Sequence, residues 1–340
     1  MKVAVYYNNK DIRIEERSVP KIGDGELLVK VMASGICGSD VMEWYRIKKA
    51  PIVLGHEIGG EIVETGKKVK KYKAGDRVFV SHHVPCNTCR YCLSGHHTAC
   101  HTLHTTNYDP GGFSQYLRVP EINLDCGVFV LPDSMTYEEA VFIEPLACVV
   151  RAQRTARVKA GQNVIILGAG ISGLLHLLLA KALGAANVVV TDINEFRLKK
   201  AAELGASTVI NAGGNVIEEA KKANAGELYD VVIVATGAFP AFKQALELAD
   251  KGGTVMFFAP TDPGLKLDIP VNEFWRNDMT LVTSYGAAPE DNRQSLELIR
   301  DKKVKVGPLI THRFPIEKTG EGFKLTASGK DSIKVIIEPN

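Results

Sequence analysis

The chain has 340 residues, 45% hydrophobic and 24% charged, with 41 Lys and Arg against 39 Asp and Glu. That length favours two domains, and a net charge of +2 makes no electrostatic case for nucleic acid or for an anionic membrane surface. The start, MKVAVYYNNKD, turns charged too early for a signal peptide, and the longest apolar helical stretch, around Leu174 to Ala182, is too short to span a bilayer. The expectation is therefore a cytoplasmic protein.

Residues 1–149 read as all-β with little helix. Val3–Tyr7 and Ile12–Glu15 pair as strands, Glu26–Met32 alternates like a half-buried strand, and Ile58–Val63 and Arg77–Val80 follow between Gly- and Lys-rich turns. Many short strands with such turns suggest a partly closed barrel. Within this part, PCNTCRYCLSGHHTAC sets Cys86, Cys89, Cys92 and Cys100 in a C-x2-C-x2-C-x7-C pattern. Four thiolates at that spacing suit a closed, tetrahedral, structural zinc site in a lobe of about 82–104. A zinc-ribbon nucleic-acid module would use the same cysteines, but the near-neutral chain has no basic, aromatic-rich face to go with it. The histidines crowding the lobe read as exposed polar residues, with His83 the one placed to approach a substrate.

From about Val150 strands alternate with helices. Val164–Leu167, Val188–Thr191, Thr208–Ile210, Val231–Ala235, Thr254–Phe258 and Thr280–Thr283 predict a doubly wound parallel sheet. Helical patterns at Ile171–Leu183, Arg197–Leu204 and Ala241–Ala249 fill gaps between them. The first strand runs into Gly168, Gly170 and Gly173, spaced G-x-G-x-x-G, and the second ends on Asp192. A strand before the glycines, a helix after them and an acid at the next strand end give a dinucleotide fingerprint. The pyrophosphate meets the helix N-terminus near Ser172. Asp192 would accept from a ribose 2′-hydroxyl and repel a 2′-phosphate, which favours NAD over NADP. Ala259, Thr283 and Ser284 follow later strand ends, where open sheets bind ligands. The tail adds one amphipathic helix, Asp291–Arg300, and a last strand, Ser332–Glu338, expected to return to the first domain.

A second set of metal-ligating types is dispersed: Cys37 in SGICGSD, His56 and Glu57 in LGHE, and Glu144 in FIEPLA. One thiolate, one imidazole and carboxylates can hold zinc with a position left open. Their spacing carries no local signature, and core or turn residues fit the same letters. From the residues alone, Ser39 reads as the N-cap of a helix Val41–Ile47.

These motifs in this order resemble the zinc-dependent medium-chain dehydrogenases. The likeness is strongest to their sorbitol (polyol) dehydrogenase branch, with the L-threonine 3-dehydrogenases as near kin. The likeness rests on SGICGSD, GHE, the four-cysteine lobe, EPLA, GAGISG and TDINEFRL, and runs along essentially the whole chain. It implies a GroES-like catalytic domain (1–149 and 286–340), a Rossmann NAD-binding domain (150–285) and two Zn2+ per chain. Cys37 and His56 match catalytic zinc ligands, and Glu57 and Glu144 are further candidates for that shell. Ser39 matches a hydroxyl that relays the substrate proton, and Arg197 matches an arginine at the adenine end. Many relatives carry a histidine three residues after that serine; this chain has Met42. Trp44 and Tyr285 are candidates to line the substrate pocket, and Cys148, one turn after Glu144, reads as a packed core thiol. The implied reaction interconverts a secondary alcohol, foremost a polyol, and its ketone, in a homotetramer or homodimer. The competing readings are an L-threonine or simple secondary-alcohol (diol) dehydrogenase, and a zinc- and NAD-binding protein without turnover.

Overall fold

The computed structural model describes all residues from Met1 to Asn340. The chain opens with an antiparallel pair, β1 (Lys2–Asn8) and β2 (Asp11–Glu16), in which Val3, Ala4, Val5 and Tyr6 are buried in succession. Then comes β3 (Leu27–Gly35), the longest strand of the first sheet along with β5 (Glu57–Thr65). Between them β4 (Ile52–Val53) joins the edge of β1. The segment expected as a helix over Val41–Ile47 is instead three short turns, Gly38–Val41, Glu43–Arg46 and Ile47–Lys49. β6 (Arg77–Val80), β7 (Tyr116–Val119) and β8 (Val128–Val130) complete this stretch. β5 pairs with β3 and β6, β8 with β6, and β7 with β3. Leu27, Val29, Val31, Ile58, Ile62, Val78 and Val80 from these strands share one core with Tyr108 and Leu117.

The expectation of little helix before residue 150 is corrected at its end. A turn of helix, Tyr137–Ala140, is opened by Thr136, whose side chain accepts from the Glu139 amide while Glu139 caps Thr136 in return. This reciprocal cap was legible as T-x-x-E. Helix Ile143–Thr155 follows and carries Glu144 in its first turn.

Next comes a six-stranded parallel sheet: β9 (Asn163–Leu167), β10 (Asn187–Asp192), β11 (Thr208–Asn211), β12 (Tyr229–Val234), β13 (Ala249–Phe257) and β14 (Thr280–Thr283). Their order in space, β11-β10-β9-β12-β13-β14, is that of a doubly wound nucleotide-binding sheet. Val164, Ile165, Ile166 and Leu167 are all fully buried, as a strand covered on both faces requires. All six strands predicted from the sequence are present, with ends shifted by a few residues.

The tail holds more than the sequence reading gave it. Besides helix Pro289–Arg300 it contains β15 (Ile310–Pro315), helix Thr319–Ser328 and β16 (Lys334–Glu338). The second helix was missed because Gly320 and Gly322 weaken its pattern. Packing accounts for Gly322: a Cβ there would lie 2.9 Å from the Ile36 Cδ1 atom. β16 returns to the first sheet, pairing with β15 and, through Ile336 and Ile337, with the end of β3. The chain thus forms two units, residues 1–147 with 287–340, and residues 148–286. No helix is long and apolar enough to cross a membrane.

Candidate active site

Three strand ends meet in the first unit. Gly35, closing β3, is paired with Glu57 at the start of β5 and with Ile336 of β16. Cys37 lies just past the first of these ends, His56 just before the second, and Lys334 opens the third. This register brings one ligand atom each of Cys37, His56 and Glu57 to within 4.8 Å of one another. Glu57 is fully buried, the His56 side chain is 12% exposed and Cys37 is partly exposed.

Cys37, not Ser39, caps the turn that follows. Its Sγ accepts from the Ser39 amide and from Ser39 Oγ, each at 3.4 Å, while its own amide donates to Asp40 Oδ2 at 3.1 Å. Asp40, fully buried, places Oδ1 3.3 Å from His56 Nδ1. That contact fixes the ring and leaves Nε2 for a cation. Burial opposes charge on His56, yet Asp40 and Cys37 outweigh it and push its pKa well above the ordinary histidine value. The field at this ring thus favours positive charge, as a dication beside it requires.

Glu57 has two different oxygens. Oε2 accepts from Lys334 Nζ at 2.5 Å, both side chains being buried. Oε1 is buried with no hydrogen-bond partner. A buried carboxylate oxygen left over beside a thiol and an imidazole fits a metal ligand or the partner of a metal-held group. Sulfur, nitrogen and oxygen together are a zinc donor set with a fourth position to spare. Glu144 is partly buried on its helix and is not one of the three converging side chains. Its charge still acts here, being among the groups that hold the pKa of buried Lys334 up against desolvation. Cys148, one turn on, is half-buried rather than packed in the core, because it shares the Glu144 side of the helix.

His82 departs from the expectation of an exposed polar residue. Its ring lies 4.9 Å from His56 and 3.7 Å from His83, and its Nδ1 is buried without a partner. Burial, then the positive charge of His56, His104, Lys49 and Arg46, brings the pKa of His83 down to about 3, so it is a neutral hydrogen-bonding group. His96, His101 and His104 are exposed. Trp44 and Tyr285 are 39% and 54% exposed.

In the lobe, the Sγ atoms of Cys86, Cys89, Cys92 and Cys100 also lie within 4.8 Å of one another. The Cys89–Cys92 and Cys86–Cys100 sulfurs are 3.6 Å apart. That is far beyond a disulfide, at about 2.05 Å, and close to the ~3.8 Å edge of a tetrahedron with Zn–S bonds near 2.3 Å. The only apolar side chain buried with them is Leu103. Removing the metal therefore removes most of what holds the lobe. Cys89→Ser is expected to lose that zinc and to open residues 82–104 to limited proteolysis while the three sheets stay protected. Wild-type resistance in the variant would contradict this.

In the second unit the fingerprint glycines show why each is there. Gly168 has a φ of +106°, and a Cβ on Gly173 would lie 1.8 Å from the Gly168 carbonyl oxygen. Gly170 begins helix Ile171–Ala182 with no side-chain cap, and a Cβ there would meet only Arg197 Nη1, at 3.9 Å. Ser172 and Gly173 thus sit in the first turn of a helix with no side-chain cap, whose amides have no partner within the helix, a phosphate cradle. Asp192 closes β10 with both oxygens engaged: Oδ2 accepts from the Ala169 amide at 2.7 Å and Oδ1 from the Asn194 amide at 2.9 Å. Arg197 Nη1 is 3.9 Å from Asp192 Oδ2. Ala259, Thr283 and Ser284 follow the same carboxyl edge, where Phe257 pairs with Thr283. The Ser284 Oγ is buried there without a partner.

Residues 23–132 match the family described as Alcohol dehydrogenase GroES-like domain, and residues 172–301 the family Zinc-binding dehydrogenase. Sorbitol dehydrogenase of Mus musculus is 35% identical, over 99% of this chain and 96% of that protein. A zinc-binding dehydrogenase from Sinorhizobium meliloti 1021, solved bound to NADP, superposes with a TM-score of 0.90 at 27% identity, over 99% of both chains. The 2R,3R-butanediol dehydrogenase of Bacillus subtilis does so with a TM-score of 0.87 at 28% identity, over 100% of this chain and 99% of that one.

Proposed function

Because the chain belongs to the zinc-binding dehydrogenases with an alcohol dehydrogenase GroES-like domain, on their sorbitol dehydrogenase-like side, we propose that it interconverts a polyol or sugar alcohol and its ketone with NAD. The observation that carries this is the meeting of Cys37, His56 and Glu57 within 4.8 Å beside a serine hydroxyl. Cys37 and His56 would hold the catalytic zinc, with Glu57 or Glu144 completing the shell, and the four lobe cysteines would hold a structural one. Zinc at the first site supplies a Lewis acid that acidifies an alcohol, and NAD supplies the hydride acceptor. Ser39 Oγ accepts the proton of the substrate hydroxyl as it gives up its own to a second acceptor in the site, Asp40 keeps His56 in one tautomer, and buried Lys334 offsets the charge of Glu57.

Gly168, Gly170, Ser172 and Gly173 would hold the pyrophosphate, Arg197 the adenine end, and Ala259, Thr283 and Ser284 would border the nicotinamide. NAD is the proposed partner rather than NADP, although the Sinorhizobium protein was solved with NADP. Asp192 supports this choice. Asp192→Ala is expected to lower kcat/KM with NAD by about 10- to 100-fold, the worth of a charge-assisted hydrogen bond, and to lower it less with NADP, whose 2′-phosphate it repels. Equal losses with both cofactors would contradict the assignment.

A diol substrate is the second reading, favoured by the likeness to the butanediol dehydrogenase. We also propose a cytoplasmic homodimer or homotetramer. β14 is an edge strand, and the helix before it exposes Val271 at 71% and Trp275 at 78%. The test of substrate is NADH formation with sorbitol, xylitol, galactitol, butane-2,3-diol, L-threonine and simple secondary alcohols, each with and without a chelator. Chelator-sensitive preference for a polyol supports the proposal. Preference for L-threonine or for the diol overturns the substrate class.

A further inference from the structure

Arg46 ends the short helix Glu43–Arg46 and reaches back over the turn that Cys37 caps. Its side chain is 14% exposed. Nε donates to the Ser39 carbonyl at 3.0 Å, and Nη2 donates both to Ser39 Oγ at 3.0 Å and to Asp40 Oδ1 at 3.3 Å. The two residues it holds are the two that touch the ligand pair. Ser39 Oγ lies 3.4 Å from Cys37 Sγ, and Asp40 Oδ1 lies 3.3 Å from His56 Nδ1. One guanidinium therefore ties the hydroxyl of the site to the carboxylate that orients its imidazole.

The chemistry of the group makes the tie directional. A guanidinium has five donors, no acceptor and keeps its proton at any working pH. With Arg46 donating to Ser39 Oγ, the single hydroxyl hydrogen is turned the other way, toward Cys37 and whatever occupies the site. No proton can pass from Ser39 into Arg46. The side chain of Met42, within the same turn region, offers only a thioether in place of a proton carrier.

We propose that Arg46 is a positioning residue that locks Ser39 and Asp40 into one unit, presenting the Ser39 hydroxyl and the His56 imidazole in fixed orientation and closing the Arg46 side to proton exit. It rests on the reading of Cys37, His56 and Ser39 as the active site. Partners behind metal ligands are worth about 10- to 100-fold in metal affinity or activity, which sets the scale of the test.

The test uses purified full-length enzyme and the variants Arg46→Met, Arg46→Lys, Ser39→Ala, Asp40→Asn and Ser39→Ala/Arg46→Met. The first readout needs no turnover: chelator competition for the zinc that Cys37→Ala loses. Arg46→Met is expected to weaken that zinc about 10-fold or more, as Asp40→Asn does, while Ser39→Ala, which removes only the long 3.4 Å contact to Cys37 Sγ, weakens it less. The second readout is alcohol oxidation. Arg46→Met is expected to cut kcat by about 10- to 100-fold with KM little changed, and to cost much less when Ser39 is already alanine. Arg46→Lys, which keeps the charge and fewer of the bonds, recovers part of both losses. Unchanged zinc affinity in Arg46→Met overturns the proposal. So does an equal kcat loss with and without Ser39. A wild-type enzyme that holds zinc but oxidises no alcohol refutes the dehydrogenase reading instead, and the chelator readout still decides the tie.

Discussion

Cys37→Ala is expected to lower kcat/KM for alcohol oxidation by about 10³-fold or more, because a metal Lewis acid contributes several kcal/mol to this kind of step. The same variant should lose one zinc per chain and keep its fold. Cys37 is a partly exposed residue in a turn, capping it with its sulfur, so its removal costs little packing. The check is metal analysis and circular dichroism on the protein used for kinetics. Full activity, or loss of both metals together, would count against Cys37 as a ligand of a separate catalytic site.

The second large effect concerns stability. Lys334 and Glu57 form a buried ion pair at 2.5 Å, with side-chain exposures of 0% and 1%. Lys334 Nζ also donates to the Ile36 carbonyl at 3.4 Å. Removing one member of such a pair strands the other charge, at a cost of about 3–5 kcal/mol. Lys334→Met is therefore expected to lower the denaturant midpoint strongly at unchanged slope. The double variant Lys334→Met/Glu57→Gln should recover much of the loss, since no charge is left stranded. A double variant less stable than Lys334→Met would show that packing, not the pair, sets the cost.

The nucleotide-binding sheet was readable because its signals are local. An apolar run, three glycines, a helix and an acid lie within one stretch, and Gly168 and Gly173 answer to contacts a side chain would violate. The cysteine lobe was readable for the same reason: four ligands sit close in sequence. The second metal constellation was not, because Cys37, His56 and Glu57 are joined by strand register between β3 and β5, and only the family resemblance pointed to them. Glu144 lies on helix Ile143–Thr155, outside that strand register, so it too is marked as a candidate by the resemblance alone.

Arg46 and Lys334 escaped the sequence reading altogether. Arg46 looks like one more surface cation in WYRIKK, and only the turn geometry aims it at Ser39 and Asp40. Lys334 left a trace: a lysine inside the run IKVIIE, which reads as a strand buried on both faces. Such a charge needs a partner, and the partner sits across β3, on β5, rather than nearby in sequence. The sulfur of Cys37 took the capping role that propensity gives to serine, because the turn after β3 starts, at its cap position, two residues before Ser39.

The most direct measurement follows zinc content and alcohol oxidation together on one sample during stepwise chelation. The expected course begins at two zinc ions per chain. Activity should fall to zero as the first is lost, with the circular dichroism spectrum unchanged, and return when zinc is added back. Undiminished turnover after loss of one metal with the lobe still closed would contradict a catalytic zinc held at Cys37 and His56.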